Sequence, residues 1–159
     1  RPPGSRDGLG GHFPRPLSSP VPPVLPGVFF AGPVPPADAA GMLRPLAASA
    51  QIDGTVGVFV EPIARYHTTD MLEPGDKAWL AAPDRNVHVP IGVARTYGDG
   101  KDLTILTFGN GLYMSLRVAS RLRKRGKEVR VVDLRWISPR PIEAMLRVAK
   151  STGPSPVGV

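Results

Sequence analysis

The chain has no cysteine, which excludes a disulfide framework, a thiolate nucleophile and a thiolate-held zinc ion. Histidine is scarce as well. His12, His67 and His88 lie far apart, none has a second candidate ligand or a carboxylate partner at useful spacing, and they are read as surface or turn residues. No apolar run approaches the roughly 20 residues that cross a bilayer, and the N-terminus lacks the basic-then-apolar pattern of a secretory signal. The expectation is a soluble, intracellular chain. It opens on Arg1 rather than Met, which points to processing or to a piece of something longer.

With 159 residues, 42% of them hydrophobic, the length suits one domain with a real core. The net charge of +7 is compatible with an ordinary enzyme surface and does not by itself name a partner. Proline is uneven: 11 of the 20 fall within residues 1–36, so that third is read as irregular or extended, apart from a short buried strand at Gly27–Ala31. A helix is predicted over about 37–50. Asp38 favours its start, Ala39, Met42, Leu43, Leu46 and Ala50 recur at helical spacing, and Pro45 is expected to weaken or kink it. Val56–Val60 reads as a strand buried on both faces, and 62–90 as a turn-rich surface connection.

The second half is more regular. IGVARTYG and LTILTFG read as two short strands joined by a turn at DGKD, followed by a helix that Gly126 stops. VRVVDLRW is the next strand, with Ser138 as N-cap and Pro139 as first residue of a helix carrying Ile142, Met145, Leu146 and Ala149. The alternation predicts an α/β fold with a mostly parallel sheet and crossover helices.

Three groups of side chains are candidate sites. Gly109, Asn110 and Gly111 join a strand to a helix N-terminus, where amides can hold a phosphate, although a tight turn is the plainer reading. Arg117, Arg121, Lys124 and Arg125 form a basic stripe opposite Leu112, Leu116 and Ala119. That stripe reads first as a solvated face, then as a surface for an acidic protein, and last as one for nucleic acid, since no aromatic residues interleave. Asp133 ends a buried strand and could be a base or a ligand anchor. Pairing with an arginine such as Arg135, or capping the next turn, is the simpler role.

The run from Ala37 to Lys150 resembles the beta subunit of the thiamine diphosphate-dependent 2-oxo acid dehydrogenases, within the transketolase superfamily. The strings that carry it are GVFFAGPVPPADAAGMLR, GVFVEPIARYH and IGVARTYGDGKDLTILTFGNG followed by VRVVDLRWISP. It implies a Pro-rich irregular segment at 1–26, the end of the pyrimidine-binding domain at 27–66, a linker at 67–90, and a truncated transketolase C-terminal-like domain at 91–159. It also implies oxidative decarboxylation of a 2-oxo acid on thiamine diphosphate with Mg²⁺ in the intact enzyme, and acyl transfer to a lipoyl carrier. The implied partners are an alpha-type subunit, a second beta chain and the dihydrolipoyl acyltransferase core, with neither nucleic acid nor membrane. The compartment would be the cytoplasm, or the mitochondrial matrix in a eukaryote.

The departures are specific. The family's cofactor-activating glutamate lies upstream of these residues. Its GGxxH histidine is replaced by Pro14 in GLGGHFPRP, leaving His12, two residues earlier, as the substitute. Where the family continues into a central strand, this chain reads TGPSPVGV, and Pro154 and Pro156 oppose such a strand. The expectation is an incomplete C-terminal domain with a bare sheet edge, flanked by altered or misread ends, with no cofactor bound by this stretch alone. A non-catalytic assembly module is the alternative, with transketolase and the deoxyxylulose-phosphate synthases ranked lower.

Overall fold

The computed structural model describes residues 26–82, 84, 86–151 and 157–158. It begins with a β-α-β unit. Strand β1 (Val28–Ala31) runs into helix α1 (Pro36–Asp53), and β2 (Val56–Phe59) returns parallel to β1. Pro35 and Pro36 pre-set the entry to α1, Gly54 ends it at φ 70°, and Pro45 is accommodated within it. The buried side of α1 keeps Met42 and Leu46 of the expected stripe but not Leu43 or Ala50. Asp38, Gly41, Met42, Leu46 and Ser49 face inward, whereas Leu43 is 51% exposed, so polar residues share the buried stripe.

Strand β2 also departs from expectation. It is an edge strand with Val56 59% exposed, because β1 takes the centre of a three-stranded sheet ordered β2-β1-β6. An apolar run cannot by itself distinguish a central strand from an outer one. Gly57 is required where β2 crosses α1: an added Cβ would lie 2.7 Å from Leu46 Cγ.

The second sheet contains β3 (Arg95–Tyr97), β4 (Leu103–Thr107), β5 (Val129–Asp133) and β7 (Val157–Gly158), in the order β3-β5-β4-β7. The expected hairpin is corrected here. Strands β3 and β4 do not pair with each other; each flanks β5, β3 antiparallel and β4 parallel. The VRVVD segment is the most deeply buried of the three and takes the centre, which separates its neighbours. One mostly parallel sheet is thus replaced by two small mixed sheets. The β4-α2-β5 crossover is as expected, with α2 at Asn110–Arg123 and Gly126 at φ 75° just beyond it. Leu112, Leu116 and Ala119 of α2 pack on Ile105, Val129 and Val131.

Strand β6 (Trp136–Ser138) leaves the second sheet and pairs antiparallel with β1 in the first. Ser138 therefore ends a strand rather than capping a helix, and α3 begins four residues later, at Ile142–Ser151. The bare edge expected beside β4 is corrected too, since Val157 and Gly158 pair with Ile105 and Leu106. Pro154 and Pro156 lie outside the described residues. Ile142 and Leu146 of α3 are 58% and 56% exposed, an apolar helix face left uncovered among the described residues.

Candidate functional site

The densest set of buried charges lies where the two sheets meet. Asp38, in the first turn of α1, is 2% exposed. Arg135, 97 residues away, grips it bidentately: Nε donates to Oδ2 at 3.0 Å and Nη2 to Oδ1 at 2.9 Å. Arg95 on β3 adds a third bond, Nη1 to Oδ1 at 3.1 Å. The fork of each guanidinium suits a planar carboxylate, so one acidic side chain fastens α1 to both β3 and the β5-β6 connection. Arg135 reaches it from a left-handed conformation, φ 58°, which turns the chain between β5 and β6.

Asp133 lies beside this clamp and is fully buried. Its Oδ1 accepts the Arg135 backbone N–H at 3.1 Å, while Oδ2 has no partner among the described residues. Burial pushes its carboxyl up to about 7, against the lowering effect of that N–H and of the Arg135 charge. The turn-capping role expected for Asp133 is therefore present, whereas the Arg135 guanidinium goes to Asp38 instead. A group near neutrality can exchange a proton at physiological pH. No residue of the clamp lines the chain's large groove, however, so nothing in the geometry presents Asp133 to a substrate.

The other expected sites separate. Gly109 precedes α2 at φ 54° without a side-chain cap, and the first-turn amides of Gly111 and Leu112 bond to Phe108 and Gly109 carbonyls. This is the tight turn. Gly111 is needed because an added Cβ would collide with Thr107 Oγ1. In the basic stripe, Arg121, Lys124 and Arg125 are exposed. Arg117 leans on Tyr113, 5.6 Å from the ring centroid, and Lys124 meets Glu73 at 3.6 Å. His67 and His88 are exposed, and His12 with Pro14 lies outside the described residues. The sequence reading missed Asp38 and Arg95 as site residues. Their signal was an acidic residue amid alanines in PADAA, read only as a partner of the helix dipole.

The donor set does not fit thiamine diphosphate with a divalent cation. Among the described residues no three His, Cys, Asp or Glu side chains gather to hold a metal. The carboxylate of Asp38 is turned to arginines, and the groove is lined by no aromatic ring that could stack on a pyrimidine.

Comparison with known proteins gives the frame. Residues 92–157 match the transketolase C-terminal domain. The structure of a split-gene transketolase, an inactive beta4 tetramer, superposes with a TM-score of 0.60 over 87% of this chain and 40% of that one, at 24% identity, which supports the fold. The pyruvate dehydrogenase beta subunit of Rhizobium meliloti is 30% identical over 129 residues, 81% of this chain and 25% of the relative. The 2-oxoisovalerate dehydrogenase beta subunit of Bacillus subtilis is 33% identical over 128 residues, 80% of this chain and 35% of the relative. A 1-deoxy-D-xylulose-5-phosphate synthase of Desulfitobacterium hafniense is 41% identical, over 64 residues, 40% of this chain and 10% of the relative. The chain is thus distantly homologous to these enzymes and spans only 25% and 35% of the two beta subunits. Among the described residues, no helix is long and apolar enough to cross a membrane.

Proposed function

We propose that this chain is the junction segment of a 2-oxo acid dehydrogenase beta-type subunit. Residues 27–66 would close its pyrimidine-binding domain, 67–90 would link, and 91–159 would open its C-terminal domain. The parent enzyme would decarboxylate a 2-oxo acid, such as pyruvate or a branched-chain 2-oxo acid, on thiamine diphosphate with Mg²⁺ and pass the acyl group to a lipoyl carrier. One observation carries this reading. The likeness to the two beta subunits extends over 81% and 80% of this chain, whereas that to the synthase covers only 64 residues. A junction is also where an ion-pair clamp such as Asp38–Arg135–Arg95 has a purpose, holding two domains at a fixed angle. The segment by itself would be inactive, and its partners would be an alpha-type subunit, a second beta chain and the acyltransferase core.

Calorimetric titration of thiamine diphosphate with Mg²⁺ into the chain, shown folded by circular dichroism, tests the reading. The expected result is no saturable heat from the chain alone, and saturable binding once an alpha-type subunit of this enzyme class is added. Saturable binding without a partner would overturn the assignment of the cofactor site to other residues. Failure to associate with the alpha-type subunit would overturn the beta-type assignment.

A further inference from the structure

A groove of about 870 Å³ lies between β3 and α3, on the sheet face away from α2. Its floor is built of small side chains, Gly92, Ala94 and Thr96, which leave room for a chain of ordinary width. Strand β3 stands at the end of its sheet and pairs only with β5, so its outer backbone groups have no strand partner among the described residues. Arg95 and Thr96 on it are exposed. Such an edge is a template for one more strand.

The chemistry of the walls narrows the occupant. Arg130, Arg140 and Arg147 line the groove against two acidic residues, Asp99 and Glu143. Arg130 is already committed, donating to Ser151 Oγ at 2.7 Å and to the Asp99 carbonyl at 3.0 Å. Among the described residues, Arg140 and Arg147 have no ion-pair partner, and both are exposed. Ile142, at the start of α3 and 58% exposed, adds an apolar side chain to the same lining. Among the described residues no aromatic side chain lines the groove, which disfavours base stacking and hence single-stranded nucleic acid.

We propose that this groove docks an extended acidic segment of a partner protein, which adds a strand to the free edge of β3 and sets its carboxylates against Arg140 and Arg147. The backbone edge would supply affinity, and the two arginines would select acidic sequences over neutral or basic ones. The inference does not rest on the enzyme assignment.

Fluorescence anisotropy on the full chain tests it, with a labelled eight-residue peptide of alternating glutamate and valine as probe. Saturable binding is expected, weakened by about tenfold or more in the double variant Arg140→Glu with Arg147→Glu and changed less than about twofold by Arg121→Glu with Arg125→Glu on α2. Circular dichroism melts establish that both variants fold. A peptide N-methylated at every residue, unable to donate from either edge, is expected not to bind. Absence of saturable binding by the folded chain would overturn the proposal, as would equal loss in the α2 variant. Undiminished binding of the N-methylated peptide would remove the strand-addition mode, and tighter binding of an eight-nucleotide single strand would reassign the groove to nucleic acid.

Discussion

Strand β5, at the centre of the larger sheet, has a partner on each side and buries Val129, Val131, Val132 and Asp133, whereas the smaller sheet leaves its β2 edge half open. The larger sheet draws most of its core from one stretch of sequence, the β4-α2-β5 crossover together with β3, and completes it with Val34 and Trp79. The smaller sheet takes its third strand, β6, and its largest fully buried side chain, Trp136, from the other half of the chain. Local sequence thus supplies most of one core, whereas the other is shared between distant halves of the chain. The smaller core persists because β6 pairs with β1 and because Asp38 is held by Arg135 and Arg95.

The strongest way to break this dependence is Asp38→Ala. It leaves the nearly buried Arg135 guanidinium without its carboxylate, at an expected cost of about 3–5 kcal/mol in urea unfolding. The loss should appear equally in signals from both sheets, as one cooperative unit requires.

Asp133→Asn sharpens the comparison by pH. Asp133's folded-state pKa, about 7, lies above its ordinary 3.8, so the stability this group contributes in acid is lost as pH rises from 3.8 through about 7. The asparagine still accepts the Arg135 N–H but does not titrate. Relative to this variant, the native chain should lose on the order of 3 kcal/mol between about pH 5 and about pH 8, read from urea curves at the two values.

Gly100→Ala probes the larger sheet alone. The added methyl would meet backbone atoms of Glu128 and Val129 at the entry to β5, which side-chain motion cannot relieve. A loss of about 1–3 kcal/mol is expected by thermal or urea unfolding. Lys124→Ala sits at the other extreme. It removes an ion pair whose side chains are 73% and 71% exposed, and no measurable shift of the urea midpoint should follow.

What was legible in the sequence follows the same division. The LTILT run, the apolar stripe of Leu112, Leu116 and Ala119, the stop at Gly126 and the VRVVD strand are local signals, and each lies where its pattern placed it. The position of β3 was not legible, because adjacency in sequence favoured a hairpin while burial of β5 put that strand between the two. Nor was the start of α3. Ser138–Pro139 carries a helix-start pattern, but β1 offered Ser138 a strand partner more than a hundred residues away in sequence. At the site, a turn-capping Asp133 could be read from its immediate neighbours. The Asp38–Arg135 pair could not, since nothing at either position records the other.

Hydrogen exchange on the native chain tests most directly whether the two sheets form one cooperative unit. The amides to compare are Gly32, which donates to the Arg135 carbonyl beside β1, and Leu134, which donates to Thr107 in the larger sheet. The account expects both to exchange through the same global opening, with equal free energies and equal dependence on urea. Exchange of Gly32 at a much lower free energy, while Leu134 keeps the global value, would contradict it.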